Sequence, residues 1–214
     1  MYKYVKRGFD VIFSIIGLIV FFIPMIIIGI AIKIDSRGPV FFKQIRTGKD
    51  GREFYLYKFR SMAVDNDVHD FSRKDQHTRV GNFLRKTSLD ELGQMINILK
   101  GDMSWIGPRP WITDYYENMN ETQRHRCDVL PGITGLAQAL GRNNISIFEK
   151  INYDLEYVKN ISLKEDIKIV FLTIKTVLSK SGADAGKNVI QNELTDLKTQ
   201  EIKLDEIANA SLNY

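Results

Sequence analysis

The chain has 214 residues, a formal net charge of +4 and 44% hydrophobic residues. This length suits one sizeable core with appendages, so we expect a single catalytic or binding domain rather than two. Basic residues alternate with acidic ones along most of the chain, which argues against the concentrated basic patch of a nucleic-acid-binding protein. The single cysteine, Cys127, cannot form an internal disulfide, and we expect it to be packed within a helix.

The N-terminal segment is strongly apolar. Residues 11–32 carry no charge, and as a straight helix they could cross a hydrocarbon core about 30 Å thick. Pro24 lies near the middle, where it would bend the helix by removing a backbone hydrogen bond. Both flanks are basic, whereas a spanning helix normally has its positive excess on one side. We therefore favour a re-entrant helix-break-helix with Pro24 at the break, and a plain span is the alternative.

A turn at residues 35–39 is followed by a predicted β-hairpin. Residues 40–46 and 53–59 are rich in aromatic and β-branched side chains, and an Asp-Gly turn lies between them. Lys58 and Arg60, at the far end of the second strand, are available to bind an anion.

Residues 61–86 are polar and are expected to form a helical or partly mobile lid. His69 and His77 lie near several aspartates in this stretch. Their spacing matches no established ligand pattern, so we do not expect a dedicated zinc site.

The predicted centre of the chemistry is a helix that begins at an acidic pair. Asp90, Gln94 and Asn97 share one face of this helix, so we expect Asp90 to point away from the core. Ser88 is a good N-cap and forms a capping-box pattern with Glu91, which leaves a purely structural interpretation open. In the functional interpretation, Asp90 stays ionised at the helix N-terminus and is suited to act as a nucleophile. The apolar side of the helix is formed by Leu89, Leu92, Met95, Ile96 and Leu99.

Arginines near this helix could hold the phosphates of an anionic substrate. Arg85 directly precedes the helix. Arg109 lies within residues 107–110, where two prolines stiffen the backbone. Arg142 follows three glycines in residues 130–141. Glycines let backbone amides approach a phosphate, although this pattern is neither a Walker loop nor a dinucleotide fingerprint.

Two further amphipathic helices are predicted. Residues 111–126 fit helical spacing, and a second helix opens at the pattern Ser162-x-x-Glu165 and runs to about Ser179. Because lysines lie opposite its apolar face, this second helix can lie on a membrane surface. An ordinary core helix with a solvated face is the alternative. Its apolar positions are Leu163, Ile167, Val170, Phe171, Ile174 and Leu178.

These elements predict an α+β fold that is mostly helical, with a small β-hairpin, an N-terminal re-entrant membrane helix-break-helix and interfacial amphipathic helices. Residues 1–38 form the re-entrant membrane hairpin. Residues 39–180 form a catalytic domain on the cytosolic face, and residues 181–214 form a peripheral C-terminal tail.

Several motifs taken together resemble the bacterial sugar transferase family, the monotopic phosphoglycosyl transferases. The resemblance covers about residues 1–180 and departs from the family at two points. The family often has Ser-Pro at the membrane break, where this chain has Ile23-Pro24, and Gly93 stands where many members have proline. The matching segments are the apolar hairpin with a central proline, Tyr57-Lys58-Phe59-Arg60-Ser61-Met62, Arg85-Lys86-Thr87-Ser88-Leu89-Asp90-Glu91-Leu92, Asn97-Ile98-Leu99-Lys100-Gly101-Asp102-Met103-Ser104, Ile106-Gly107-Pro108-Arg109-Pro110 and Pro131-Gly132-Ile133-Thr134-Gly135.

The resemblance implies transfer of a sugar-1-phosphate from a UDP-sugar to polyprenyl phosphate, such as undecaprenyl phosphate, with Mg²⁺ and release of UMP. It implies that Asp90 is the nucleophile that carries the phosphosugar, and also a metal ligand, and that Glu91 is its companion acid. The implied phosphate-binding residues are Lys58, Arg60, Arg85, Arg109 and Arg142.

The resemblance also implies a location and partners. We expect a monotopic protein on the cytoplasmic face of the bacterial inner membrane that starts a surface glycan, such as a capsule or exopolysaccharide. Its partners would be the UDP-sugar, the polyprenyl phosphate and the lipid bilayer, with no nucleic acid and with homo-oligomerisation left open. The alternative function is a non-catalytic, membrane-tethered scaffold of a polysaccharide assembly complex, in which Asp90 and Glu91 only cap a helix.

Overall fold

The computed structural model describes residues 2–63, 77–141, 145–178 and 192–200. Over these ranges the protein is mostly helical and contains a small antiparallel β-hairpin, as the α+β prediction states. It divides into two compact units, one made of residues 1–45 and 54–105 and the other of residues 46–53 and 106–214. The predictions on Arg142, on His69 and on most of the C-terminal tail fall outside the described residues.

In the first unit, the apolar N-terminal segment forms two helices, α1 (Tyr2–Val20) and α2 (Phe22–Asp35), whose axes differ by 62°. Pro24 lies in the first turn of α2, three residues after the break at Phe21, and it has no amide hydrogen to donate to the carbonyl of Val20 at the end of α1. Among the described helices, none by itself is long and apolar enough to cross a membrane, whereas this bent pair is when its halves are taken together. The predicted helix-break-helix is present, and its re-entrant path stays a prediction.

The predicted hairpin is confirmed. β1 (Phe41–Thr47) and β2 (Glu53–Phe59) pair with each other, and a 3-10 turn at Lys49–Gly51 joins them. Asp50 and Gly51 both have positive φ, 56° and 74°, as the Asp-Gly signal predicts. Two helices of the first unit come next, α3 (Arg79–Thr87) and α4 (Gln94–Lys100), with the acidic pair between them.

Polar side chains fasten α1 to the rest of the first unit. Arg7 donates to the last carbonyls of α4, at Ile98 (2.6 Å) and Leu99 (3.1 Å). Buried Asp10 accepts a hydrogen bond from the backbone amide of Trp105 (3.0 Å). The apolar helix is thereby connected directly to the helix that follows the acidic pair.

The second unit is mostly helical in its described residues. The helix predicted over residues 111–126 is interrupted at residues 118–120, because Asn120 starts a new helix with a capping box. The helix predicted from Ser162 is confirmed, and a helix over residues 147–160 was not predicted. In chain order the elements are β3 (Ser104–Ile106), whose last residue belongs to this unit, α5 (Thr113–Glu117), α6 (Glu121–Arg124), β4 (Gly132–Thr134), which pairs with β3, α7 (Leu136–Leu140), α8 (Ile147–Asn160) and α9 (Leu163–Leu178).

The core of the second unit draws on a part of the predicted tail. Residues 192–200 are helical, and Leu197 is buried in a cluster with residues of α5 and α8. Glu193 accepts hydrogen bonds from the hydroxyl of Tyr115 (2.8 Å) and from Lys150. This part of the tail is therefore packed against the unit, while the domain boundaries themselves stay a prediction.

Candidate active site

The acidic pair, Asp90 and Glu91, lies in a short 3-10 helix, Leu89–Gly93, between α3 and α4. Ser88 ends α3 in the left-handed conformation (φ 57°), and its amide donates to two carbonyls in the last turn of α3. Its side chain makes no capping hydrogen bond to the turn that follows. The prediction of one continuous helix with a capping box at its start is therefore wrong, because Ser88 acts as the C-cap of the preceding helix.

The polar face that carries Asp90 is turned inward. Asp90 has 9% of its surface exposed, and Gln94 and Asn97 are buried. The expectation that Asp90 points away from the core is wrong, because the Asn97 end of this face meets β2, bonding to the backbone at Tyr55 and Tyr57. In such surroundings, with little water, charges interact more strongly than at an exposed surface.

Lys58 and Glu91 form an ion pair next to Asp90. Lys58 Nζ donates to Glu91 Oε1 at 2.9 Å, and each side chain is 18% exposed. Because both side chains are partly buried, solvent and salt screen their attraction less than that of an exposed ion pair. The structure thus brings together a cation and a companion acid that the sequence analysis had assigned to the same site.

The turn that carries the acidic pair packs against helix α2 of the apolar N-terminal segment. Leu89 and Leu92, which flank the two carboxylates, pack against a buried cluster that includes Ile28 and Ile32 of α2. The site is therefore built directly onto one arm of the bent helix pair.

Two of the predicted phosphate-binding arginines of the first unit have protein partners. Arg60 is buried, and its guanidinium donates to three carbonyls after the end of α2, at residues 36, 37 and 39, over 2.7–2.9 Å. These bonds give Arg60 a structural role in holding the chain segment that follows α2. Arg85 is exposed, with Nη1 2.8 Å from Nε2 of His77. The phosphate-binding roles of both stay predictions.

Arg109 belongs to the second unit, where it is exposed between two buried prolines. Its backbone carbonyl accepts a hydrogen bond from Arg126 Nη2 (2.8 Å). Arg126 also donates from Nε and Nη2 to Asp154, at 2.9 and 2.6 Å, and stacks over the Trp111 ring at 3.7 Å. The sequence analysis gave no role to this buried pair, because nothing in a linear pattern joins an arginine to an aspartate 28 positions away.

The glycines near Arg142 serve chain packing. The Gly132 amide donates to the Pro108 carbonyl, and the Gly107 amide donates to the Thr134 carbonyl, both at 2.9 Å. A Cβ on Gly132 would lie 2.1 Å from the Gly107 nitrogen. The Gly132 amide is thus committed to the stiff loop that carries Arg109, and is not directed at a phosphate.

In the described parts of the chain, no group of three or more His, Cys, Asp or Glu side chains is arranged to hold a metal ion. Mg²⁺ is commonly bound through one or two carboxylates together with substrate phosphates. Asp90 and Glu91, adjacent in one turn, fit an ion held in that way. The metal-ligand role of Asp90 stays a prediction.

Comparison with known proteins identifies relatives. The family model described as bacterial sugar transferase matches residues 1–180. The chain is 40% identical over 192 residues to the uncharacterized sugar transferase EpsL of Bacillus subtilis, covering 89% of this chain and 95% of EpsL.

Two longer relatives have names that state an activity. The galactosyl transferase CpsE of Streptococcus agalactiae serotype III is 45% identical over 202 residues, which is 85% of this chain and 45% of CpsE. The UDP-glucose:undecaprenyl-phosphate glucose-1-phosphate transferase of Escherichia coli is 43% identical over 184 residues, which is 80% of this chain and 40% of that protein. The chain spans less than half the length of these two relatives.

Proposed function

Because the chain belongs to the bacterial sugar transferase family, we propose that it transfers a sugar-1-phosphate from a UDP-sugar to polyprenyl phosphate. The name of the E. coli relative, which covers this reaction class, supports the proposal. The observation that carries it is the acidic turn, in which Glu91 is paired with Lys58 and the flanking leucines pack against α2. A transferase that joins a water-soluble donor to a lipid acceptor needs its reactive group close to the membrane surface, and packing against the apolar helix α2 would place it there.

In the proposed first step, a carboxylate oxygen of Asp90 attacks the phosphorus that bears the sugar. The bond from that phosphorus to the oxygen of the second phosphate breaks, and UMP leaves with the electron pair. In the second step, a phosphate oxygen of the polyprenyl phosphate attacks the same phosphorus and displaces the Asp90 carboxylate, giving a polyprenyl diphosphate sugar. The covalent intermediate lets the two substrates use one site in turn.

Phosphoryl transfer depends on positioning and on charge neutralisation. Lys58 holds Glu91 in place through their 2.9 Å contact and adds positive charge beside the carboxylates. Mg²⁺, when bound with the donor, neutralises phosphate charge, and Asp90 and Glu91 are the residues that would hold it. In this proposal Arg85, Arg109 and Arg142 bind substrate phosphates, whereas Arg60 acts mainly by holding the chain at the end of α2.

We also propose that the protein is monotopic and lies on the cytoplasmic face of the bacterial inner membrane. Within the first unit, most apolar side chains of the bent helix pair are exposed, and a bilayer leaflet would cover them. Within the second unit, the apolar face of α9 is exposed, with Phe171 at 68% and Leu178 at 77%, while Ile169 is buried on the other side. This burial favours the membrane-surface interpretation of α9 over the core-helix alternative.

The product would be the first lipid-linked sugar of a surface glycan. The scaffold alternative required Asp90 and Glu91 to act only as helix caps. The Ser88 side chain makes no capping bond there. Glu91 is paired with Lys58 on β2, an interaction that a capping role does not require.

The test is UMP release by the purified protein with Mg²⁺ and a panel of UDP-sugars. Before the acceptor is added, we expect about one UMP released per protein and a phosphosugar adduct on the intact protein by mass spectrometry. Adding polyprenyl phosphate should then give sustained UMP release. Asp90→Asn should abolish both signals. Asp128→Asn, which changes an exposed carboxylate paired with His125, is the matched control and should keep both. Full turnover by Asp90→Asn would contradict the mechanism.

A further inference from the structure

We propose that Asn97 is a positioning residue that holds β2 against the turn carrying the acidic pair, and so keeps Lys58 in contact with Glu91. The inference rests on the proposed function, in which these two side chains belong to the site. In this proposal Asn97 does not touch the substrate and affects the reaction only by keeping Lys58 in position.

Asn97 bonds to β2 as a neighbouring strand would. Its Oδ1 accepts from the Tyr57 amide at 3.0 Å, and its Nδ2 donates to the Tyr55 carbonyl at 2.7 Å. Residues two apart on a strand direct their amides and carbonyls to the same edge. The Asn97 side chain therefore bonds to the Tyr57 amide and to the Tyr55 carbonyl on one edge of β2. In the sheet, β2 pairs with β1.

Only an amide side chain of this length provides the required pair of groups. A carboxylate would accept from Tyr57 but would face the Tyr55 carbonyl without a proton to donate. An alanine would remove both partly buried hydrogen bonds and leave the Tyr57 amide and the Tyr55 carbonyl without this partner. Asn97 also donates to Asp102 Oδ2 at 3.2 Å, which orients its amide.

The approach between β2 and the acidic turn is close. A Cβ on Gly93 would lie 2.9 Å from the Tyr57 carbonyl oxygen and 3.3 Å from the Phe41 ring. Glycine at this position lets the backbone of the turn reach the strand. Gly93 and Asn97 therefore hold Tyr57 from one side, one through close contact and the other through hydrogen bonds.

Lys58 directly follows Tyr57, and Glu91 lies two residues before Gly93. The Lys58–Glu91 distance of 2.9 Å therefore depends on where Tyr57 is held. A shift of β2 by about 1 Å would take the two charged groups beyond hydrogen-bonding distance. Positional errors of this size are enough to lower catalysis severely.

The first test measures the placement of Lys58 without using activity. Trace acylation of the folded protein, read by peptide mass spectrometry, reports how strongly each lysine is shielded. We expect Glu91→Gln to raise Lys58 acylation severalfold, and Asn97→Ala to raise it by a similar factor. Lys159, which is exposed in the last turn of α8, is the internal reference. Wild-type acylation of Lys58 in a folded Asn97→Ala variant would overturn the proposal.

A second variant covers loss of folding. If Asn97→Ala does not fold, Asn97→Asp takes its place. It keeps the shape and the acceptor for Tyr57 and removes the Nδ2 donor to the Tyr55 carbonyl and to Asp102. Asn160→Ala is the matched control, because the Asn160 amide is exposed and donates only within α8. It should leave Lys58 acylation and UMP release unchanged.

The second test is a double-mutant cycle on the rate of UMP release. We expect Asn97→Ala to lower kcat by on the order of tenfold in the wild-type background and to have little further effect in a Lys58→Met background, because the two residues act as one unit. Equal losses in both backgrounds would show a general structural role and would overturn the proposal. If the wild type releases no UMP, the proposed function fails, and Lys58 acylation still decides the placement by Asn97.

Discussion

The buried pair of Arg126 and Asp154 provides a quantitative test of how the second unit is held together. Both side chains are 2% exposed, and two guanidinium nitrogens bond to one carboxylate oxygen. We predict that Arg126→Met destabilises the folded protein by about 3–5 kcal/mol, because it leaves the Asp154 carboxylate buried without its partner. The same change removes the bond to the Arg109 carbonyl and the stacking on Trp111.

The magnitude can be divided by a second substitution. Arg126→Met with Asp154→Leu removes the buried charge as well as its partner, so only the bond to Arg109 and the stacking are lost. Those two interactions contribute about 1–2 kcal/mol together. The double variant should therefore be more stable than the single variant by about 2 kcal/mol.

The assay is denaturant unfolding in detergent, followed by circular dichroism. Arg124→Met is the matched control, because Arg124 also stacks on an aromatic ring, that of Tyr116 at 5.2 Å, but is exposed. Its loss should cost less than about 1 kcal/mol.

The dependence on pH has a definite sign. Burial raises the pKa of the Asp154 carboxyl, and the Arg126 charge opposes this rise. In Arg126→Met the Asp154 carboxyl has a folded pKa above its unfolded pKa, so it is protonated in the folded protein at low pH. The stability that this protonation provides is present at low pH and is lost as the pH rises through the folded pKa. The deficit of Arg126→Met should thus shrink as the pH falls from 7 towards about 5. A single variant as stable as Arg124→Met, or a double variant less stable than the single one, would refute the reasoning.

Three further predictions concern other parts of the chain. A nitroxide spin label attached to the cysteine of Ile174→Cys in proteoliposomes should collide more with oxygen than with a water-soluble nickel chelate, and a label on Lys168→Cys should show the reverse. Equal exposure to the chelate at both positions would contradict a membrane-bound α9. The thiol of Cys127 should not be spin-labelled in these variants, because it is buried and burial raises its pKa. We expect it to react with a disulfide reagent only after unfolding. Fast reaction in the folded protein would contradict this burial. Ser146→Ala should lower the free energy of unfolding by about 1 kcal/mol, because Ser146 caps α8. The Ser146 amide also lowers the pKa of Glu149, so the stability due to the Glu149 charge should be present above its unfolded pKa and be lost as the pH falls through the lowered folded pKa. A free energy of unfolding that does not fall over this pH range would contradict the second part.

Local patterns predicted several elements correctly. The Asp-Gly turn between aromatic strands, the proline in the apolar segment and Ser162 before α9 all act through neighbouring residues, so their effects are visible in the sequence. The burial of Cys127 was predicted in the same way, although it lies in a short 3-10 turn, His125–Cys127.

The errors share a cause. Ser88 fits the start of a helix equally well as the end of one, and only the preceding helix, α3, decides which. Asp90 was expected to point away from the core, but it is nearly buried because its helix face packs against β2. In both cases the competing partner lies on another element.

By itself, the sequence determined the family, the bent apolar pair, the hairpin and the acidic pair, because these depend on residue types at short spacings. Only the tertiary structure decided that Asp90 is nearly buried, that Glu91 is paired with Lys58, and that Asn97 bonds to β2. These contacts join residues 33 and 40 positions apart. Such contacts form only when packing of the apolar side chains brings distant segments together, so no local pattern records them.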